Sequence, residues 1–132
     1  MTQILVYAFI MKADHIDNLV SDLDAGLRHY GALLPLLGLQ KTVDHVWKTP
    51  DGFAIGLQQA TAEGAFNRNA AGIHHFCLSV ESDKVLDDIA RRMRNAGMMV
   101  PEFSYFNTAR SLFLDNPDGF QLEISFDSGA QT

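Results

Sequence analysis

SLFLDNPDGFQLEISF, residues 111–126, is the stretch on which the fold turns. Apolar and polar residues alternate on either side of Asn116-Pro117-Asp118-Gly119. Proline presets the backbone of a turn and glycine supplies a positive φ, so strands at Ser111–Leu114 and Phe120–Phe126 are predicted to flank a tight turn. Pro-Asp-Gly occurs once more, at Pro50-Asp51-Gly52, between β-rich runs at Val43–Trp47 and Phe53–Gln58. Upstream of each turn stands the same preamble. Asp14–Val20 reads as a strand, Ser21-Asp22 as a helix cap, and Leu23, Leu27, Tyr30 and Leu34 as a helical stripe closed by Pro35 and Gly38. Ile73–Val80, Ser82-Asp83 and the stripe Val85, Ile89, Met93, closed by Gly97, repeat that order.

A duplicated unit fixes an architecture before its details are known. The reading is an α+β fold of two βαβββ modules, at about residues 12–60 and 72–127. They form one domain over 1–132 and divide within Ala60–Gly72, which has no clear period. The 132 residues carry a net charge of -6, and the ten basic residues form no run beyond Arg91-Arg92. That excludes a nucleic-acid footprint and a polybasic membrane anchor as expectations. No apolar stretch approaches the ~20 residues that span a bilayer. Cys77 is the only cysteine, so no intrachain disulfide forms and a reducing, cytoplasmic setting is expected. The apolar run Ile4–Met11 lacks a basic flank and a cleavage site, unlike a signal peptide. Residues 1–11 read as an extension, either a short strand covered by a partner subunit or a poorly ordered start.

Side chains alternate across a strand. His74, Phe76, Leu78 and Val80 are therefore expected on one face, and His75, Cys77 and Ser79 on the other. Leu122, Ile124 and Phe126 oppose Gln121, Glu123 and Ser125 in the same way. If the apolar faces pack on the helices, the polar faces line a concavity that receives His75 and Glu123. In the first strand His15, Asp17 and Leu19 line it too. Two imidazoles and a carboxylate suit a three-point metal site with open positions for water or substrate. A buried glutamate also needs a cation or a hydrogen-bond donor nearby.

These segments resemble the glyoxalase/bleomycin resistance/dioxygenase superfamily, the vicinal oxygen chelate proteins. Residues 72–80, GIHHFCLSV, are similar to the strand that carries a metal-binding histidine there. Residues 115–123, DNPDGFQLE, look like the closing hairpin whose glutamate binds the metal. Residues 15–23, with Tyr30, are similar to the opening strand and helix, so the resemblance spans about residues 12–126. It implies a cupped, incomplete mixed β-barrel with helices outside and a homodimer. It also implies one divalent ion per chain (Zn, Ni, Mn, Co or Fe) held by His15, His75 and Glu123. The metal would chelate a small substrate bearing adjacent oxygens. Glu123 and Asp17 are the candidates to move a proton, and Gln58, Cys77, Ser111, Phe113, Gln121 and Ser125 the candidates to line the substrate site.

The superfamily hosts unrelated reactions, so departures matter. Gly56 stands where the repeat places the counterpart of Glu123, and glyoxalase I-like enzymes carry a metal-binding glutamate there. Gln58, on the same strand face, is the candidate neutral replacement. Phe113 stands where ring-cleaving dioxygenases usually have a tyrosine. Ser104, Tyr105 and Phe106 occupy the region of an expected histidine. Arg110 and Arg68 are the nearest sources of positive charge for an anionic substrate. His29 and His45 read as surface residues, and His74 as a core or hydrogen-bonded one. Trp47 and Phe53 read as core or cavity wall. Asp17 either serves the cavity or bonds a neighbouring strand. Three functions follow: a glyoxalase-type metal-dependent lyase or isomerase, a drug-binding resistance-type protein without chemistry, and an extradiol-dioxygenase-like oxidoreductase.

Overall fold

In a computed structural model, which describes residues 10–129, the chain forms two four-stranded mixed sheets, each backed by one helix. The first module is β1 (His15–Val20), α1 (Leu23–Leu36), β2 (Gln40–Val43), β3 (Val46–Lys48) and β4 (Ala54–Gln59). The second is β5 (His75–Ser79), α2 (Asp83–Asn95), β6 (Ser104–Phe106), β7 (Ala109–Asp115) and β8 (Gln121–Asp127). The strand orders are β1-β4-β3-β2 and β5-β8-β7-β6, one pattern used twice. Residues 60–74 connect the modules without a helix or strand. The sheets stay open as a cup and close no barrel.

The helices begin where short oxygens cap them. Asp22 accepts from the Ala25 amide at 3.2 Å and Ser82 from the Val85 amide at 3.3 Å, satisfying donors that a helix start leaves free. In α2 the residues Leu86, Ile89, Ala90 and Met93 are buried, while Arg92 and Arg94 face the negative end of the helix dipole. Gly97 ends it at φ +76°. In α1 Pro35 lies inside the last turn rather than after it, and the helix tightens there, with the Leu37 amide on the Leu34 carbonyl at 3.0 Å. Leu33, Leu34, Trp47 and Leu57 join Leu86, Leu112 and Ile124 in one hydrophobic cluster that crosses both modules.

Two expectations need correcting. Val43–Trp47 is not one strand: it holds a turn at Asp44-His45, with His45 at φ +67°, between β2 and β3. The βαβββ pattern calls for a strand ahead of Ser111, and β6 fills that place, although the sequence did not mark its residues as a strand. Every residue of β2 is exposed, and Tyr105 and Phe106 of β6 are exposed too. A solvated edge strand has no buried face to imprint alternation on its sequence. Of the apolar N-terminal run, residues 4–9 lie outside the described residues, and Ile10 and Met11 are exposed. Among the described residues no helix is long and apolar enough to cross a membrane.

His29, expected at the surface, is half-buried in α1 with its ring edge-on to Tyr30. Its Nε2 has no hydrogen-bond partner among the described residues, and desolvation lowers its pKa from 6.5. A histidine depressed in this way binds a proton more readily when unfolded. Its contribution to stability is present above pH 6.5 and is lost as pH falls toward the folded pKa. His29→Phe is therefore expected to gain on the wild type progressively below pH 6.5. Urea unfolding of both proteins between pH 5 and 7.5 checks this, and a constant difference across that range contradicts it.

Candidate functional site

Strand β5 runs parallel to β8 with Cys77 beside Glu123, and β7 lies antiparallel on the other side with Phe113 opposite Glu123. Glu123 thus occupies the middle of the sheet, and its side chain is only 13% exposed. One carboxylate oxygen lies 3.0 Å from His75 Nε2, and the other accepts from the Ser111 hydroxyl at 2.7 Å. Ser111 is fully buried, and Ser125 Oγ sits 2.8 Å from its oxygen. The hydroxyls of β7 and β8 therefore anchor the acid. Alternation delivers this: residues 111, 123 and 125 share the face of His75, while Leu122 and Ile124 enter the core.

The His75 ring lies edge-on to Phe113 at 5.6 Å. Its Nδ1 is 2.8 Å from Nδ1 of His74. A neutral imidazole has one N–H. If His75 donates from Nε2 to Glu123, its Nδ1 accepts, and His74 donates to it. His74 is exposed and precedes the strand, so it is a hydrogen-bonding partner and not a core residue. The Cys77 thiol is pushed up to about 11, by burial first and by the Glu123 charge second. It is protonated near neutrality and lines the face rather than attacking.

The first sheet carries a matching pair. Asp17 lies beside Gly56 in the β1–β4 register, as Cys77 lies beside Glu123 in β5–β8, which confirms the repeat equivalence of Gly56 and Glu123. A Cβ at Gly56 would stand 2.6 Å from Asp17 Oδ1. The Asp17 carboxylate therefore covers the place that a side chain at position 56 would enter. Module one thus carries its carboxylate on the edge strand, at Asp17, where module two carries it on the inner strand, at Glu123. Asp17 is 4.0 Å from His15 Nε2, and Asp14 bonds His15 Nδ1 at 2.7 Å. That hydrogen bond, followed by the Asp17 charge, raises the His15 pKa.

Within one chain the three expected ligands do not meet. Among the described residues no three His, Cys, Asp or Glu side chains converge well enough to hold an ion. His75 and Glu123 come together with suitable donor chemistry, whereas His15 belongs to the other sheet. Gln58 is exposed in register with Leu19. Gln121 donates to Asp115 at 2.8 Å across the hairpin ends. Neither arginine serves the face. Arg110 is held at 3.0 Å by both Asp83 and Asp87 and lies over the Phe103 ring, and Arg68 donates to the Gly119 carbonyl.

Sequence reading missed a second polar cluster. Asn116, 5% exposed, donates at 3.1 Å to both Asn18 Oδ1 and the Tyr30 hydroxyl, and Tyr30 donates to Asn18. It ties β1 and α1 to the β7–β8 turn, and burial pushes Tyr30 up to about 12. Asparagine at 116, where the other turn has Thr49, was the available signal.

The fold is shared with solved structures described as glyoxalase/bleomycin resistance protein/dioxygenase proteins. The chain is similar to a glyoxylase/bleomycin resistance protein/dioxygenase domain from Frankia sp. EAN1pec, with TM-score 0.73 and 23% identity over 93% of this chain and 96% of that one. It is also similar to a glyoxalase/dioxygenase from Nostoc punctiforme, with TM-score 0.65 and 21% identity over 96% and 98%. A third likeness is to a glyoxalase/bleomycin resistance protein/dioxygenase from Alicyclobacillus acidocaldarius, with TM-score 0.62 and 16% identity over 91% and 94%. At these identities the likeness establishes the fold. No family model and no curated protein matches the sequence.

Proposed function

We propose that this chain is a vicinal oxygen chelate enzyme that works as a twofold homodimer. In this reading His15 of one copy and His75 with Glu123 of the other share one divalent ion. The reaction is a glyoxalase-type isomerisation or elimination on a small molecule with adjacent oxygens. The supporting observation is the His75–Glu123 pair, 3.0 Å apart and braced by Ser111 on the polar face of the second sheet. The separation of His15 from that pair in one chain favours ligands drawn from two copies.

A bound ion would polarise a carbonyl and stabilise an enolate as a Lewis acid. The chain's own groups do the rest. Ser111 fixes the rotamer of Glu123, so little entropy is lost when it serves as a ligand or a base. Asp17, half-exposed beside His15, is the second carboxylate able to take a proton from a substrate carbon. Phe113 beside His75 gives the face an apolar wall with no hydroxyl, which disfavours the dioxygenase reading.

A metal-free binding module is the second reading, because Glu123 already has hydrogen-bond partners in His75 and Ser111. Subunit mixing separates the two. Light scattering should give twice the 14.6 kDa chain mass. His15→Ala and Glu123→Gln homodimers should each bind no ion. After denaturation and co-refolding, half of the dimers are mixed and each holds one intact site, so about a quarter of the sites should return. A monomer, or no recovery on mixing, rejects the shared site.

A further inference from the structure

The two ends of the module junction are equivalent in the repeat and differ in what fills them. At one end Ser21 bonds Asp118 through both its amide and its hydroxyl, and Asn18, Tyr30 and Asn116 plug the space beneath. The registers of β1–β4 and β5–β8 and the caps Asp22 and Ser82 define the counterparts at the other end. Ser21 corresponds to Glu81 and Asp118 to Asp51. Asn18, Tyr30 and Asn116 correspond to Leu78, Ala90 and Thr49. Two carboxylates replace a hydroxyl–carboxylate latch, and an alanine replaces a tyrosine. That end is open, and a cavity of about 700 Å³ occupies it.

Its walls are mainly apolar, with Leu37, Leu39, Leu78, Val85 and Ile89 among them. Phe53 and Phe76 also line it, their rings 5.3 Å apart and within 9° of parallel. The rim carries Asp51, Glu81 and Lys12, and Lys12 donates to the Asp51 backbone carbonyl at 3.3 Å, which leaves one negative charge in excess. A cavity of this size matches pockets for small organic ligands. We infer that it binds a small aromatic amine, with the ring against Phe53, Phe76 and α2 and the ammonium at the rim beside Asp51 and Glu81. The apolar run at residues 4–9 is the competing occupant, since Lys12 and Ala13, a few residues after it in the sequence, line the cavity. Its side chains include no cation to meet the excess carboxylate, and the amine is favoured for that reason. Phe76, Leu78 and Ile124 line it from the core-facing side of their sheet; His75 and Glu123 lie on the opposite face, from which Cys77 and Ser79 reach the cavity.

Calorimetric titration of the full chain with 1-naphthylmethylamine and with 1-naphthoate tests the assignment. One amine per chain is expected, bound about tenfold tighter than the acid at low salt, with the preference shrinking at high salt. Glu81→Gln should weaken the amine roughly threefold, the scale of one exposed ion pair, and Glu123→Gln should leave it unchanged. Amide shifts in NMR should fall on Leu39, Val85 and Ile89. Equal affinity for amine and acid overturns the proposal, as do shifts centred on His75 and Glu123. Binding that appears only after Val6→Asp overturns it too, by assigning the cavity to the chain's own apolar run.

Discussion

Asn116→Ala is expected to destabilise the protein by about 3 kcal/mol, since a buried donor or acceptor left without a partner costs about 1–3 kcal/mol. The side chain bridges Asn18 and Tyr30 through its amide nitrogen, and its oxygen accepts from the amides of Asp118 at 2.9 Å and Phe120 at 3.0 Å. Alanine strands both turn amides and removes the only side chain of the second module in that triangle. Tyr30→Phe should cost less, about 1 kcal/mol, because Asn116 can still reach Asn18. Urea unfolding should show the midpoint falling with an unchanged slope, and the melting temperature should drop by about 10 °C for a chain of this size. A loss under about 1 kcal/mol would mean that the apolar cluster alone holds the modules together.

Glu123→Gln should abolish metal-dependent stabilisation while leaving the fold intact. The amide is nearly isosteric, its oxygen can still accept from Ser111, and the core residues Leu122 and Ile124 are untouched. Wild type held at a metal concentration of 100 times Kd should gain about 2.7 kcal/mol, or about 10 °C in Tm, and the variant almost none. His74→Ala is the graded control. His74 meets His75 Nδ1, so its loss should weaken metal binding by about tenfold and keep the stoichiometry, as the loss of an outer-shell partner does. Protons compete with metal for the imidazole nitrogens, so uptake should release protons and weaken on acidification. Undiminished metal uptake by Glu123→Gln would remove this residue from the site and favour the metal-free reading.

The duplicated Pro-Asp-Gly turns, the two caps and the helical stripes were enough to read the modules and their order from residues alone. They are local signals: a turn needs its proline and glycine at fixed positions, and a cap needs its oxygen before the first turn. Alternation likewise placed Glu123 and His75 on one face, because β8 buries Leu122 and Ile124 and β5 packs Phe76 and Leu78 against the same core. The edge strands β2 and β6 left no such mark, and neither did the turn at His45. Which histidine meets which carboxylate was beyond sequence, because it depends on how two sheets are set against each other. So was the position of the Asp17 carboxylate, 2.6 Å from where a Cβ at Gly56 would stand. The Asn18–Tyr30–Asn116 triangle joins residues up to 98 apart in the chain, and the cavity at the opposite end exists because the same triangle is missing there. Periodicity reports the face that a residue turns to its own sheet; contacts between sheets are made by packing, and packing is where this protein's halves cease to be copies.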